Sequence, residues 1–499
     1  MSAPIRTGSS PFDAGPAPAA PAVRALTGKL GPVAIVFMVV AAASPLTVVG
    51  GAAPLGILLG NGVGFPALYV ASGVILLLFS VGLAAMTRVV PRPGAFFTFV
   101  GHGLGRRAGL GAAYLALLTY TTVQVAVYGY LGYILSVTFA QLGVAELPWW
   151  LWALAVAALV GVLGYRHIDL SSKVLGVLLV GEIGIVLAVV AGVVLTGGDQ
   201  GLSLEPFEPA NVFSGSPAIG LTFAIAAFIG FEATAVFRDE ARDPARTIPR
   251  ATYAAVIGIT IFYTLASWGL VMAWGPDHAV DVAAADPGAM ILTTTAKYLG
   301  TAGEVIVNVL LITSMFACVL SFHNVITRYQ HTMANAGLLP GAVGAVHARH
   351  LSPHWSSLVQ SATTVLLVLV FALAGLDPVL EVFTWFAGVA TLAIAILMAV
   401  TSLAVIVWFR RTRQDARVWN TVVAPALGLV GLAGAAVAIV ANFPLLVGDV
   451  DAAGNQQFGA TSAVLLALIV LCPAAGWVQA VVLRRRSPET YARITEAIG

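Results

Sequence analysis

Charge is what this sequence has least of. Only 9% of its 499 residues are Asp, Glu, Lys or Arg, whereas 59% are hydrophobic. Such a composition excludes an ordinary water-soluble domain and points to an integral membrane protein. Cysteine is scarce too. Cys318 and Cys472 both fall in apolar runs, which excludes a disulfide framework and reads as two small buried side chains. The ~10-residue alternation that an outer-membrane barrel needs is missing. No charged leader with a short apolar core and cleavage site precedes the first apolar run, so no signal peptide is expected. No ring of like charges or repeated filter motif appears, which argues against a channel.

What is present is a series of apolar runs at 31–60, 65–87, 109–141, 149–165, 171–196, 216–237, 251–274, 303–326, 356–376, 379–409, 418–443 and 461–483. Most can cross ~30 Å of hydrocarbon as helices of roughly 20 residues, giving an all-α membrane protein of twelve transmembrane spans. Lys and Arg orient it. With the N-terminus cytoplasmic, every one except Lys297 falls in a tail, in the loop after an even-numbered span or, for Lys173, at the cytoplasmic start of the fifth run. Asp199, Glu205, Glu208, Asp277, Asp281, Asp286, Asp377, Asp449 and Asp451 fall on the other side. The expectation is a multi-pass protein of the cell inner (cytoplasmic) membrane with both termini cytoplasmic. The net charge of +2 is spread over one face and not gathered into an aromatic-interleaved stripe, so no nucleic-acid partner is expected. Residues 1–23, rich in Pro, Ala and Ser, read as a disordered cytoplasmic tail, and 484–499 as a second tail.

Two spans, five apart, carry interruptions. In the first, AAASPLTVVGG places Pro45 in mid-span between Ala43 and Ser44 on one side and Thr47, Gly50 and Gly51 on the other. Proline removes a backbone donor and clashes with the preceding turn, and glycine weakens a helix. The sixth span breaks near Ile229 and Gly230, beside Phe231 and the isolated acid Glu232. Breaks at corresponding positions of two halves point to an inverted-repeat transporter with substrate at the midplane. The alternative for each is a kink that only assists packing.

A resemblance can be stated at this point. Residues 230–250, GFEATAVFRDEARDPARTIPR, resemble the sixth-helix signature of the amino acid-polyamine-organocation (APC) superfamily, GFE followed by an acidic pair and N/D-P-x-R-x-I-P-R. Residues 91–99, PRPGAFFTF, resemble its loop after helix 2, and 328–340, RYQHTMANAGLLP, its end of helix 8. The resemblance covers nearly the whole chain apart from the tails. It implies a five-plus-five inverted repeat with broken helices 1 and 6: residues 24–200 form one repeat, 201–411 the other, and 412–483 two peripheral helices. It also implies alternating-access transport of amino acids or organic amines across the lipid bilayer, coupled to protons or sodium or by exchange. No cofactor or metal is implied, and monomer and homodimer both stay open.

The residues add roles to that outline. Exposed amides near Thr47 to Gly51 would form a positive dipole end suited to a substrate carboxylate, and carbonyls near Ala42 to Ser44 would suit a cation. The sequence SPLTVVGG stands where the family usually has G-x-G, which favours an amine or modified amino acid as substrate. Glu232 would pair with a cationic substrate, take up a proton, or cap the break as a neutral carboxyl. Glu182, the second intramembrane acid, stands in helix 5 where many proton-coupled members of the family carry lysine. It would carry the proton itself, or share a cation site with Ser314 or Ser321; the alternative is an acid hydrogen-bonded to a neighbouring helix.

Arg238, Asp239, Glu240, Arg246 and Arg250 read as an ion-pair inner gate, or else as a solvated loop. Tyr120, Gln124 and Tyr128 lie on one face of helix 3, and with Trp385 would finish a pocket able to close over an ammonium. Each has packing as its alternative. The rival class is a membrane-embedded metal enzyme, suggested by His347, His350 and His354 with His323 and His331, but no H-E-x-x-H spacing occurs.

Overall fold

In hydrocarbon a backbone finds no water to bond, so each apolar run satisfies its amides internally as a helix. The computed structural model describes residues 31–90, 96–144, 146–166, 172–232, 234, 241–347 and 352–498. Its long helices are α1 (Pro32–Ala43), α2 (Phe65–Val89), α3 (Phe96–Leu104), α4 (Arg106–Gln141), α5 (Trp149–Tyr165), α6 (Ser172–Thr196) and α7 (Pro217–Ala226). They continue as α8 (Pro244–Trp274), α9 (Ala279–Ala285), α10 (Met290–Asn335), α11 (His354–Ala374), α12 (Thr384–Thr412), α13 (Ala424–Leu446), α14 (Ala460–Arg486) and α15 (Pro488–Ile498). Among the described residues no strand forms, and β pairing is confined to isolated bridges such as Val450 with Gln456.

Nine helical runs among the described residues are long and apolar enough to cross a bilayer, and Trp149–Tyr165 and Pro217–Ala226 are shorter apolar helices. One of the nine, Pro45–Val89, joins what the sequence separates as two spans. The chain turns inside it at the 3-10 segment Gly62–Gly64, where Gly62 takes φ 59°. Another, α10, starts well before residue 303 because Met290–Asn335 continues across a kink at Gly300.

The core sits around α4. In its most apolar window 72% of residues are buried, against 22% in α14, so α4 is central and α14 peripheral. α4 packs against α10, α12 and α14, while α8 packs along α2 and α12 along α13. α1 lies against α6 and α8, and the turn that follows it, Pro45–Thr47, contacts α6 and α10. Leu195, Leu373, Val430 and Val437 are among the large apolar side chains left exposed, as a hydrocarbon solvent permits.

Candidate functional site

The first interruption is built by Pro45. A residue before proline is pushed out of the right-handed helical region. Ser44 takes φ 55° and ψ 73°, and α1 ends there. A left-handed residue costs about 1–2 kcal/mol, so something must hold it. The helix resumes at Pro45–Thr47 and continues through the widened turns Val48–Ala52 and Gly56–Asn61.

What holds the break is a carboxylate from α6. Glu182 Oε2 accepts the Leu46 N–H at 3.3 Å and the Ser314 hydroxyl of α10 at 2.8 Å. The Ser314 and Ser44 hydroxyl oxygens lie 2.6 Å apart, and those of Ser44 and Thr47 are also 2.6 Å apart. All four side chains are buried. Glu182, Ser314, Ser44 and Thr47 therefore form one connected cluster, whereas Ser321 makes no recorded bond to it and stands half-buried farther along α10.

The amides of the resumed segment do not wait for a substrate, contrary to the sequence expectation. The Thr47 and Val48 N–H groups bond back to the Ser44 carbonyl at 3.0 and 3.4 Å, Pro45 has none, and Leu46 is taken by Glu182. Gly50 and Gly51 serve close packing instead. A Cβ on Gly50 would stand 2.8 Å from the Tyr130 hydroxyl, and one on Gly51 3.0 Å from Phe383.

The second interruption follows α7. Helical bonding tightens over Phe228 and Ile229, which bond back to Ile225 and Ala226, and Gly230 then takes φ 110°. Only glycine adopts that conformation without strain. Glu232 closes the turn: its Oε2 accepts the Gly230 N–H at 2.8 Å and its Oε1 accepts the Tyr120 hydroxyl at 2.8 Å. Tyr120 in turn lies 6.0 Å, centroid to centroid, from Phe322 in a stacked arrangement.

Between the two interruptions lies a cavity of about 50 Å³. Ala43, Thr47, Val48 and Ala52 line it from the first break and Ala226, Ala227 and Ile229 from the second; α4 gives Val123, Ala126 and Val127, and α10 gives Cys318 and Phe322. Phe383 and Ala387 complete the wall. Among the described residues Thr47 brings the one side-chain hydroxyl, and no charged side chain lines it. An unpaired charge in such surroundings costs several kcal/mol, whereas an apolar group gains roughly 25 cal/mol per Å² buried.

Several expected pocket residues face elsewhere. Gln124 is spent on packing: it donates to the Val319 carbonyl at 2.9 Å and accepts from Gln360 at 2.8 Å, bridging α4, α10 and α11. Tyr128 is buried off the cavity wall, Phe231 packs edge-on against Phe79, and Trp385 stands beside the wall that Phe383 and Ala387 form. The lining stripe on α4 is thus 123, 126 and 127, one residue round the helix from Gln124. Its signal was a small-and-branched pattern at i, i+3 and i+4, less conspicuous than a polar residue in mid-span.

Of the charged segment, Arg238, Asp239 and Glu240 lie outside the described residues. Arg246 and Arg250 are exposed, and Arg246 meets Asp243 at 3.7 Å with both side chains more than half exposed. An exposed pair of that kind contributes about 0–1 kcal/mol. Of the histidines, His347 and His354 meet edge to face at 5.3 Å between ring centroids, with Tyr165 against both, while His323 and His331 bond elsewhere. His323 bonds Ser357 at 2.9 Å, His331 bonds Asn335 at 2.9 Å, and His350 is outside the described residues. Among the described residues no three His, Cys, Asp or Glu side chains stand together as a metal site.

A helical membrane protein with two broken segments meeting at a small apolar cavity has the form of a permease. The sequence agrees: this chain belongs to the amino acid permease family, whose profile matches residues 36–491. It is similar to the branched-chain amino acid permease BcaP of Bacillus subtilis, with 24% identity over 312 residues. That alignment takes in 59% of this chain and 64% of that protein. It is also similar to uncharacterized transporters of Mycobacterium tuberculosis and Mycobacterium bovis, each 29% identical over 211 residues, or 42% of this chain and 46% of theirs. The chain thus spans less than two thirds of these relatives' lengths. A permease family, and not an enzyme family, is where it belongs.

Proposed function

We propose that this protein carries amino acids with apolar side chains across the cytoplasmic membrane, in symport with protons and by alternating access. Twelve spans would be arranged as a five-plus-five inverted repeat with two peripheral helices and both termini cytoplasmic. The observation that carries the reading is the cavity between the two breaks, whose side-chain lining among the described residues has no charge. An organic amine would find no carboxylate there, because Glu232 is turned to Tyr120 and Gly230, and Glu182 to Leu46 and Ser314. An aliphatic side chain would bury against alanine, valine and phenylalanine. The similarity to a branched-chain amino acid permease supports the same substrate class.

Glu182 is the residue to which we assign the coupled proton. Its oxygen and the three hydroxyls stand at hydrogen-bond separations of 2.6–2.8 Å, which favours a shared proton over a sodium ion between them. Arg238, Asp239, Glu240, Arg246 and Arg250 remain the proposed inner gate, as a group that changes partners between states. Uptake of radiolabelled leucine into proteoliposomes, driven in turn by a proton and a sodium gradient, tests the function. Accumulation under the proton gradient, competed by valine and isoleucine but not by lysine or putrescine, is expected. Accumulation that follows only sodium, or competition by putrescine, would refute the reading.

A further inference from the structure

Four oxygens run in a line from α6 to the cavity: Glu182 Oε2, Ser314 Oγ at 2.8 Å, Ser44 Oγ at 2.6 Å beyond it, and Thr47 Oγ1 at 2.6 Å beyond that. Thr47 lines the cavity, while Glu182 does not. We infer that these hydroxyls are a relay through which a proton on Glu182 sets whether Thr47 offers the substrate a donor or only lone pairs. The inference rests on the proton-coupled reading above and adds the mechanism by which substrate and proton sense each other.

Each hydroxyl has one hydrogen to give, so the direction of the whole line is set at its charged end. With Glu182 ionised, Ser314 donates to it. Ser44 must then donate to Ser314 and Thr47 to Ser44, leaving Thr47 with lone pairs alone toward the cavity. When a proton from water binds the carboxylate, the new O–H donates to Ser314 Oγ. Ser314 turns to Ser44, Ser44 to Thr47, and the Thr47 O–H turns toward the cavity as a donor. One O–H bond breaks, on the hydronium that delivers the proton and is left as water, and one forms, on Glu182, where the proton stays until the reverse step; the hydroxyls only rotate. In the structure the Leu46 N–H bonds the same oxygen at 3.3 Å and holds the carboxyl toward the line.

A substrate carboxylate needs donors. The break supplies few, since Pro45 has no N–H and those of Leu46, Thr47 and Val48 are already bonded. A Thr47 hydroxyl freed by protonation fills that need, and by reciprocity a bound carboxylate favours the protonated Glu182. Among the described residues the titratable neighbours that feel Glu182 are Tyr263 of α8 and Cys318 of α10. Neither lies in the line.

The test is the pH dependence of KM for leucine in proteoliposomes, measured for wild type and for Ser314→Ala, Ser314→Thr, Glu182→Gln, Thr47→Val and Thr47→Ser. In wild type, KM should fall as external pH falls. Ser314→Ala should flatten that slope, while Ser314→Thr, which keeps a hydroxyl, should restore it. Glu182→Gln cannot gain or lose a proton, so its KM should be independent of pH while proton-driven accumulation is lost. Thr47→Val should raise KM about tenfold, the worth of a hydrogen bond to a charged group, and Thr47→Ser should not. A merely structural role would lower the amount of active protein without changing the slope. A wild-type slope in Ser314→Ala, or an unchanged KM in Thr47→Val, overturns the relay alone. Proton-driven accumulation by Glu182→Gln overturns the coupling reading beneath it.

Discussion

The two interruptions face one cavity, but their carboxylates come from different distances. At Gly230 the cap is local: Glu232 bonds the N–H two residues before it and, among the described residues, reaches out only to Tyr120. At Ser44 the cap arrives from α6, 136 residues beyond the Leu46 amide it bonds, and ties α10 in as well. A local cap travels with its segment, so the second break can shift while keeping its own turn satisfied. A distant cap holds three segments together, and any shift of the first break must disturb Glu182. On the transport reading that difference assigns the coupling to the first break and the moving hinge to the second.

The largest effect should come from removing the distant cap. Glu182→Leu leaves the Leu46 N–H and the Ser314 hydroxyl without their acceptor, each costing about 1–3 kcal/mol, and should abolish concentrative uptake. Glu232→Leu strips the Gly230 N–H and the Tyr120 hydroxyl and should destabilise comparably, but Glu232→Gln keeps an acceptor and should recover most of the loss. Double-mutant cycles on thermal unfolding sharpen the contrast. Glu182→Leu with Ser314→Ala should be strongly non-additive, whereas Glu182→Leu with Tyr120→Phe should add. Coupling between the last pair would mean that the two breaks are one network, and the comparison would fail.

A smaller effect separates the backbones. Gly230→Ala places a Cβ that meets nothing within 4 Å, so its cost is conformational, about 1–3 kcal/mol. Ser44→Gly should do the reverse, relieving about 1–2 kcal/mol of left-handed strain while deleting one hydroxyl of the line. The expected result is a lowered melting temperature for the first variant. For the second, the melting temperature should hardly change and the pH slope should be lost. If Gly230→Ala melts at or above wild type, the turn at that residue does not require a positive φ.

Much of this was legible in the sequence. Apolar runs and the scarcity of charge define helices in hydrocarbon with little help from tertiary context, and Pro45 and Gly230 mark their own interruptions because their backbone constraints are local. Glu182 and Ser314 could be paired in prospect, since an acid and a hydroxyl in apolar spans both need partners. The facing of α4 could not. A residue step of 100° decides whether Gln124 or Val123 meets the cavity, and that rotation is fixed by neighbours: Gln360 and the Val319 carbonyl capture the amide. The amides after Pro45 were misjudged for a related reason. A break frees backbone donors only until something nearer than substrate takes them, and the Ser44 carbonyl and Glu182 both do.

The smallest effect is expected at a third capped carboxylate, this one outside the membrane-spanning segments. Asp415, in the loop between α12 and α13, accepts Arg417 Nη2 at 2.6 Å and Nε at 3.0 Å, and these hydrogen bonds hold its carboxyl below the ordinary aspartate value. A carboxyl whose pKa is depressed by folding contributes stability above its unfolded value and loses it as pH falls. Arg417 is 57% exposed and Asp415 13%, so water reaches the pair from the guanidinium side, and Asp415→Asn should cost no more than ~0.5 kcal/mol at neutral pH. The difference from wild type should begin to shrink as pH falls through the ordinary aspartate value and should vanish only below the depressed folded value, where the carboxyl is protonated in both states. Melting curves of both proteins across that range provide the check. A loss as large as that of Glu182→Leu, or one that persists in acid, would show that a carboxylate paired with an exposed arginine outside the membrane can hold segments as firmly as one in hydrocarbon. The contrast drawn between the two buried caps would then rest on their partners and not on their surroundings.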